Sequence, residues 1–195
     1  MAFRLPQTIR ESYMPTKATD AVTLLKADHR KVEDLFEKFA KARDSSRKEA
    51  LVQEICTELC LHTLLEEEIF YPACQAEIDE EDIVEEAYVE HDGAKVLVAE
   101  LMESSASDEF FDAKVSVLSE EIKHRVQEEE KRGEGVFAKA KAAGMDLDAL
   151  GKRIIARKEE LLGKIKSQGL PTLETRSFTG HKLKQSKPVE AQSTR

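Results

Sequence analysis

In "LCLHTLLEEEIFYP", Leu59 to Pro72, an imidazole and a carboxylate, His62 and Glu66, stand four residues apart inside an apolar helical pattern. That spacing places both on one helix face, one turn apart. The same turn recurs in "IKHRVQEEE" as His124 and Glu128, while His29 and His91 each sit alone among apolar neighbours. His29 to His62 is 33 residues, and so is His91 to His124. A shift of 62 residues carries His29 onto His91, His62 onto His124, Glu66 onto Glu128, and "EEE" at 66–68 onto "EEE" at 128–130. The chain therefore reads as two helical hairpins, each with a lone histidine and one His-x-x-x-Glu turn. Gathered in one core without partners, such groups would cost many kcal/mol, and metal ions are the natural compensation. Two histidines per ion and two shared carboxylates describe a dinuclear site with open positions for a small ligand such as dioxygen or peroxide. Imidazole plus carboxylate suits iron, zinc or manganese. Iron is favoured because it uses open positions for redox chemistry.

The elements must bring these groups to one level. Turn and cap signals divide the chain into five helical stretches: about Asp20–Arg43, Ser45–Glu77, a third capped by Asp79 and ending in "ESSASD", a fourth from Ser107 or Asp108 to Gly144, and a fifth from Asp146 to "SQGLP". No segment alternates with period two, so no sheet is predicted. Core seams run through Val22, Leu25, His29, Val32, Phe36 and Phe39, through Val52, Ile55, Leu59, His62, Glu66 and Ile69, and through Val84, Ala87, His91, Ala94, Val98 and Leu101. On the fourth helix Phe110, Ala113, Val117, His124 and Glu128 share a face that is expected to point inward. A second stripe, Phe111, Val115, Leu118 and Ile122, lies on its far side, and the fifth helix is expected to cover it. Antiparallel helices with short loops align residues equidistant from each turn, so all four imidazoles can reach one layer. The predicted organisation is an irregular extension at 1–18, an all-α antiparallel four-helix bundle at 19–145, a fifth helix at 146–168 packing on it, and a polar, flexible tail at 169–195.

Composition narrows the class. Of 195 residues, 41% are hydrophobic and 35% charged, and the net charge of −9 argues against nucleic-acid or anionic-membrane binding. No apolar run approaches a membrane span, and the first residues have no apolar signal core, so a cytoplasmic location is expected. Cys56, Cys60 and Cys74 are expected to be reduced and buried, Cys56 and Cys60 being badly placed for a disulfide one helical turn apart.

"LLKADHRKVEDLF", "HTLLEEEIFYP", "EHDGAKVL" and "IKHRVQEEE" resemble the successive motifs of the hemerythrin-like, or HHE cation-binding, family over about residues 19 to 143. The resemblance implies a non-haem di-iron centre, oxo- or hydroxo-bridged, with His29, His62, His91 and His124 as terminal ligands and Glu66 and Glu128 as bridging carboxylates. Two departures stand out. Where oxygen-carrying hemerythrins have a fifth histidine this chain has Lys95, and its remaining histidine, His181, lies in the tail. The fourth-helix motif is also stretched, "EEEKRGEGVF" against "EEEIF", so Gly133 and Gly135 are expected to bend the helix or form a bulge. Glu33, Glu67, Glu129 and Tyr88 are further candidates for supporting the site, each weighed against an ordinary surface or packing role.

The function expected on this reading is binding or sensing of dioxygen, nitric oxide or redox and iron status at a four-His, two-Glu centre. The alternative is a di-iron enzyme that acts on hydrogen peroxide or oxidises ferrous iron. A second alternative is an interaction bundle with zinc or no metal. A small ligand is the expected partner, with no nucleic acid and no membrane, and any protein that binds the tail is left open.

Overall fold

The computed structural model describes residues 20–78 and 81–178. The expected extension at 1–18, the cap at Asp79 and His181 lie outside these residues. Helix α1 spans Ala21–Lys41, α2 Ser45–Leu65, α3 Tyr71–Glu77, α4 Glu81–Glu103, α5 Phe111–Glu129, α6 Val136–Ala142 and α7 Leu147–Gln168. Among the described residues there is no strand. Asp20 opens α1 by accepting from the Thr23 amide, Asp44 opens α2 by accepting from Arg47, and Asp146 opens α7 by accepting from Ala149. These side chains satisfy amides that have no partner inside the helix.

The chain folds as a four-helix bundle in which α1 packs on α2, α2 on α4, α4 on α5, and α5 back on α1. The three seams carrying His29, His62 and His91 face inward, as their spacing predicts. Between α2 and α3 the helix continues through one π turn, Glu66–Phe70, where the Tyr71 amide reaches back to the Glu66 carbonyl. No helix among the described residues is long and apolar enough to cross a membrane.

The fourth helix differs from expectation in two ways. The continuous helix to Gly144 is broken: α5 stops at Glu129, a turn follows through Gly133 and Gly135, and α6 starts at Val136. The stretched motif thus forms a connection instead of a bulge. The inward face is also the other one. Phe111, Val115, Leu118, Ile122, Val126 and Glu129 are buried, whereas Phe110 and Val117 are 56% and 47% exposed. A helix turns about 100° per residue, so a one-residue change of face swings His124 and Glu128 out of the core. The stripe expected to lie outside therefore fills the bundle. α7 does not cover α5 but packs against α1, α2 and the π turn.

Two apolar clusters result. One gathers Val32, Phe36, Phe39, Leu51, Ile55, Leu59, Phe111 and Leu118. The other gathers Leu25, Leu65, Phe70, Tyr71, Phe137, Ile154 and Leu161. Along α1, α2 and α4 the histidine falls where the helix passes from one cluster to the other. Of the expected flexible tail, residues 169–178 are described, and contacts hold several of them. Leu170 and Leu173 pack against the two clusters. The Arg176 amide and the amide and hydroxyl of Ser177 donate to Asp92 Oδ2 at 2.7, 2.6 and 2.7 Å, and Lys95 Nζ donates to the Glu174 carbonyl at 2.9 Å. Polar composition alone does not reveal that α4 presents a buried carboxylate and a lysine to hold the segment.

Candidate metal centre

Two of the three inward histidines, His29 and His91, share one construction, and His62 has a looser form of it. His29 turns Nδ1 to Glu130 Oε1 at 2.8 Å, and His91 turns Nδ1 to Glu67 Oε1 at 3.0 Å. His62 turns Nδ1 toward Asp28 Oδ2 at 3.9 Å, an electrostatic contact longer than a hydrogen bond. Each carboxylate meets a cation in turn: Glu130 meets Arg30 at 2.6 Å, Asp28 meets Lys158 of α7 at 2.6 Å, and Glu67 meets Lys95 at 2.8 Å. A carboxylate behind Nδ1 fixes the proton there and turns the Nε2 lone pair forward, which is how metal-binding imidazoles are oriented.

The Nε2 atoms converge. His29 and His62 bring theirs within 3.1 Å of each other. His29 Nε2 lies 3.2 Å from Glu129 Oε2, His62 Nε2 lies 3.1 Å from Glu66 Oε2, and His91 Nε2 lies 3.3 Å from the same Glu66 oxygen. One ligand atom from each of His29, His62, Glu66 and Glu129 falls within 4.8 Å of all the others, and all four residues are buried. Glu66 Oε1 and Glu129 Oε2 have no hydrogen-bond partner among the described residues. Buried carboxylate oxygens left in that state call for a cation.

With no ion bound, the buried groups of the cluster act on one another. Burial opposes charging of His62, yet Glu66 and Asp28 outweigh it and push its pKa up to about 9. Burial likewise opposes ionisation of Glu129, but Arg125 and His29 hold it well below the usual carboxylate range. Burial, reinforced by Arg125, keeps His91 low and therefore neutral. Burial lifts the Tyr71 phenol well above its ordinary value, with Glu129 and Glu66 adding to the effect. Its hydroxyl donates to Glu129 Oε1 at 2.8 Å and lies 3.3 Å from Glu66 Oε2.

The π turn explains Tyr71. Five residues of α-helix turn through about 500°, which would leave Tyr71 far round the helix from Glu66. Inserting one residue into that turn brings the two together, and such insertions are frequent at functional sites.

Of the six expected ligands, the structure brings together His29, His62 and Glu66, with His91 beside them, and does not bring in His124 or Glu128. Those two are exposed and line a cleft of about 360 Å³ together with Glu86 and Glu90 of α4. Arg125 and Glu129, one position further along α5, face the cluster and also reach the cleft. Glu67, a candidate supporting group, is buried behind His91, whereas Glu33 pairs with Arg30 at the surface. Tyr88 packs edge-on against Tyr71. Sequence reasoning missed Arg125, Asp28, Glu130, Tyr71 and Lys158. For Glu129 a signal existed: continuing the steps of three and four through Phe111, Val115, Leu118 and Ile122 arrives at Arg125 and then Glu129. Lys158 had none, since it comes from a separate helix. The cysteines take no part. Burial pushes the thiols of Cys56, Cys60 and Cys74 up to about 12, and all three are free.

The family model described as the hemerythrin HHE cation binding domain matches residues 20–132. The chain belongs to the hemerythrin HHE cation binding domain family. This HHE domain also resembles the crystal structure of a hemerythrin HHE cation binding domain-containing protein from Mycobacterium kansasii, with a TM-score of 0.63 and 24% identity over 77% of this chain and 94% of that one. That likeness bears on the fold alone. No curated protein matches the chain. Among the described residues, its His29, His62, Glu66 and Glu129 cluster could hold a metal cation.

Proposed function

We propose that this chain is a non-haem iron protein that binds dioxygen, nitric oxide or peroxide at His29, His62, His91, Glu66 and Glu129. The observation that carries the reading is the orientation of three imidazoles, each backed by a carboxylate, with Nε2 turned toward the same two glutamates. The donors are nitrogen and oxygen only, which favours iron over a structural zinc site. Iron held there would supply reversible binding of, and electron exchange with, small oxygen and nitrogen species.

The chain's own residues do the rest. Glu130 and Glu67 hold His29 and His91 in register, and the Asp28 carboxylate faces His62 from behind. Tyr71, un-ionised and donating to Glu129, keeps that carboxylate in place and has its hydroxyl at the cluster's edge. The apolar clusters on either side exclude water, and the cleft that reaches Arg125 and Glu129 admits a small ligand.

Elemental analysis and an optical spectrum of freshly isolated full-length protein test the reading. Bound iron, with a visible band that changes on adding nitric oxide or dioxygen, is the expected result. Protein that neither retains nor takes up iron would overturn it. Oxygen released from added hydrogen peroxide would move the reading to a peroxide-consuming enzyme at the same residues.

A further inference from the structure

The internal repeat makes one substitution visible. A shift of 62 residues maps Thr63 onto Arg125 and Glu67 onto Glu129. The face that α5 turns inward therefore presents a guanidinium where the repeated motif would present an imidazole. Arg125 is only 3% exposed, and its Nη1 lies 3.8 Å from Glu66 Oε2. Its Nε and Nη1 have no hydrogen-bond partner among the described residues. An arginine in these surroundings is a fixed cation.

We propose, on the basis of the metal-binding reading above, that the centre holds a single ion on His29, His62, Glu66 and Glu129, and that Arg125 supplies the charge a second ion would bring. The donor count agrees. Four ligand atoms, one each from His29, His62, Glu66 and Glu129, lie within 4.8 Å of one another. The nitrogen left over is His91 Nε2, which lies 3.3 Å from both Glu66 and the Tyr71 hydroxyl. A second ion would have to share Glu66 with a guanidinium and find no imidazole on α5, since His124 points to solvent. Charge agrees as well. Once the imidazoles serve as neutral ligands, two glutamates and one arginine leave a single negative charge, which one divalent ion overshoots by only one. Two would overshoot by three among buried side chains, where like charges are less screened than at the surface.

The test is metal stoichiometry on the full chain, loaded anaerobically with ferrous iron and desalted. About one iron per chain is expected on this ligand count, and the oxidised form should show the paramagnetic resonance of an isolated high-spin ferric ion. A ratio of two, or a coupled and resonance-silent pair, overturns the proposal and leaves the iron reading standing. No iron at all overturns both. Arg125→Lys keeps the charge and should keep the ratio at one. Arg125→Met removes it, and at saturating iron the ratio should rise above one. An unchanged ratio in folded Arg125→Met, checked by circular dichroism, would show that the guanidinium is not what limits occupancy. If that variant does not fold, the wild-type ratio and Arg125→Lys still decide.

Discussion

An imidazole can turn either nitrogen inward, and at His29 and His91 the choice is made from behind, by Glu130 and Glu67, while Asp28 stands further off behind His62. The cation behind each carboxylate is part of the same device. Lys158→Ala would leave Asp28 buried beside His62 without its closest charge partner, so a loss of about 3–5 kcal/mol in urea unfolding is expected. A loss under about 1 kcal/mol, the range of a surface pair, would mean that Asp28 does not depend on α7. The register of α5 has an equally direct test. His124→Ala and Glu128→Ala should leave metal content unchanged, whereas Glu66→Ala and Glu129→Ala should remove it; the reverse pattern in elemental analysis would mean α5 presents its other face. At the cysteines, thiols held at about 12 are protonated at neutral pH, and the thiol form is a poor nucleophile. Iodoacetamide should leave Cys56, Cys60 and Cys74 unmodified in folded protein and label all three in denaturant.

Among the elements, α5 depends on how the chain leaves it. Its end places Glu129 on one side of the His29 ring and Glu130 on the other. The turn that follows comes back so closely that a Cβ on Gly135 would lie 2.3 Å from the Glu129 carbonyl oxygen and 2.4 Å from that of Glu128. Gly135→Ala must therefore push the helix end. A destabilisation of about 1–3 kcal/mol, the usual range for overpacking, should accompany reduced metal retention; unaltered iron content would show that the helix end has room to give. The same helix shows where sequence reading stops. Three of the seams could be read because on α1 and α4 the histidine falls within a run of apolar steps, while α2 is buried on nearly every side from Leu51 to Leu65, so His62 is enclosed whichever face is chosen. α5 carries apolar residues on two sides, Phe110 and Val117 against Phe111, Val115, Leu118 and Ile122. Which side is buried depends on what the other helices present, and no local pattern contains that. The π turn was hidden for a related reason: one inserted residue alters which side chains align without altering the composition.

Across the whole molecule, the segment after α7 is tied to the centre by a short chain of contacts. Ser177 and Arg176 hold Asp92, Asp92 and Glu67 share Lys95, and Glu67 stands behind His91. Burial would raise the Asp92 pKa, but the Ser177 donors and Lys95 outweigh it and take it down to about 2. A depressed carboxylate contributes stability that is fully present above its unfolded value, about 3.9, and is lost as pH falls through the folded value. The full chain should therefore lose stability between about pH 4 and pH 2 by a margin that Asp92→Asn lacks, read as the shift in urea midpoint at each pH. Equal shifts in both proteins would rule out Asp92 as the anchor.

The two greasy ends of the bundle meet at a charged waist, and that division bears on how the molecule comes apart. Oil on either side can stay closed while buried carboxylate oxygens in the middle lack a partner, so withdrawing a bound ion should loosen the centre before the ends. Amides around His62 and His91 would then trade hydrogen with water ahead of those near Phe39 or Ile154, and loading iron would slow the former group most.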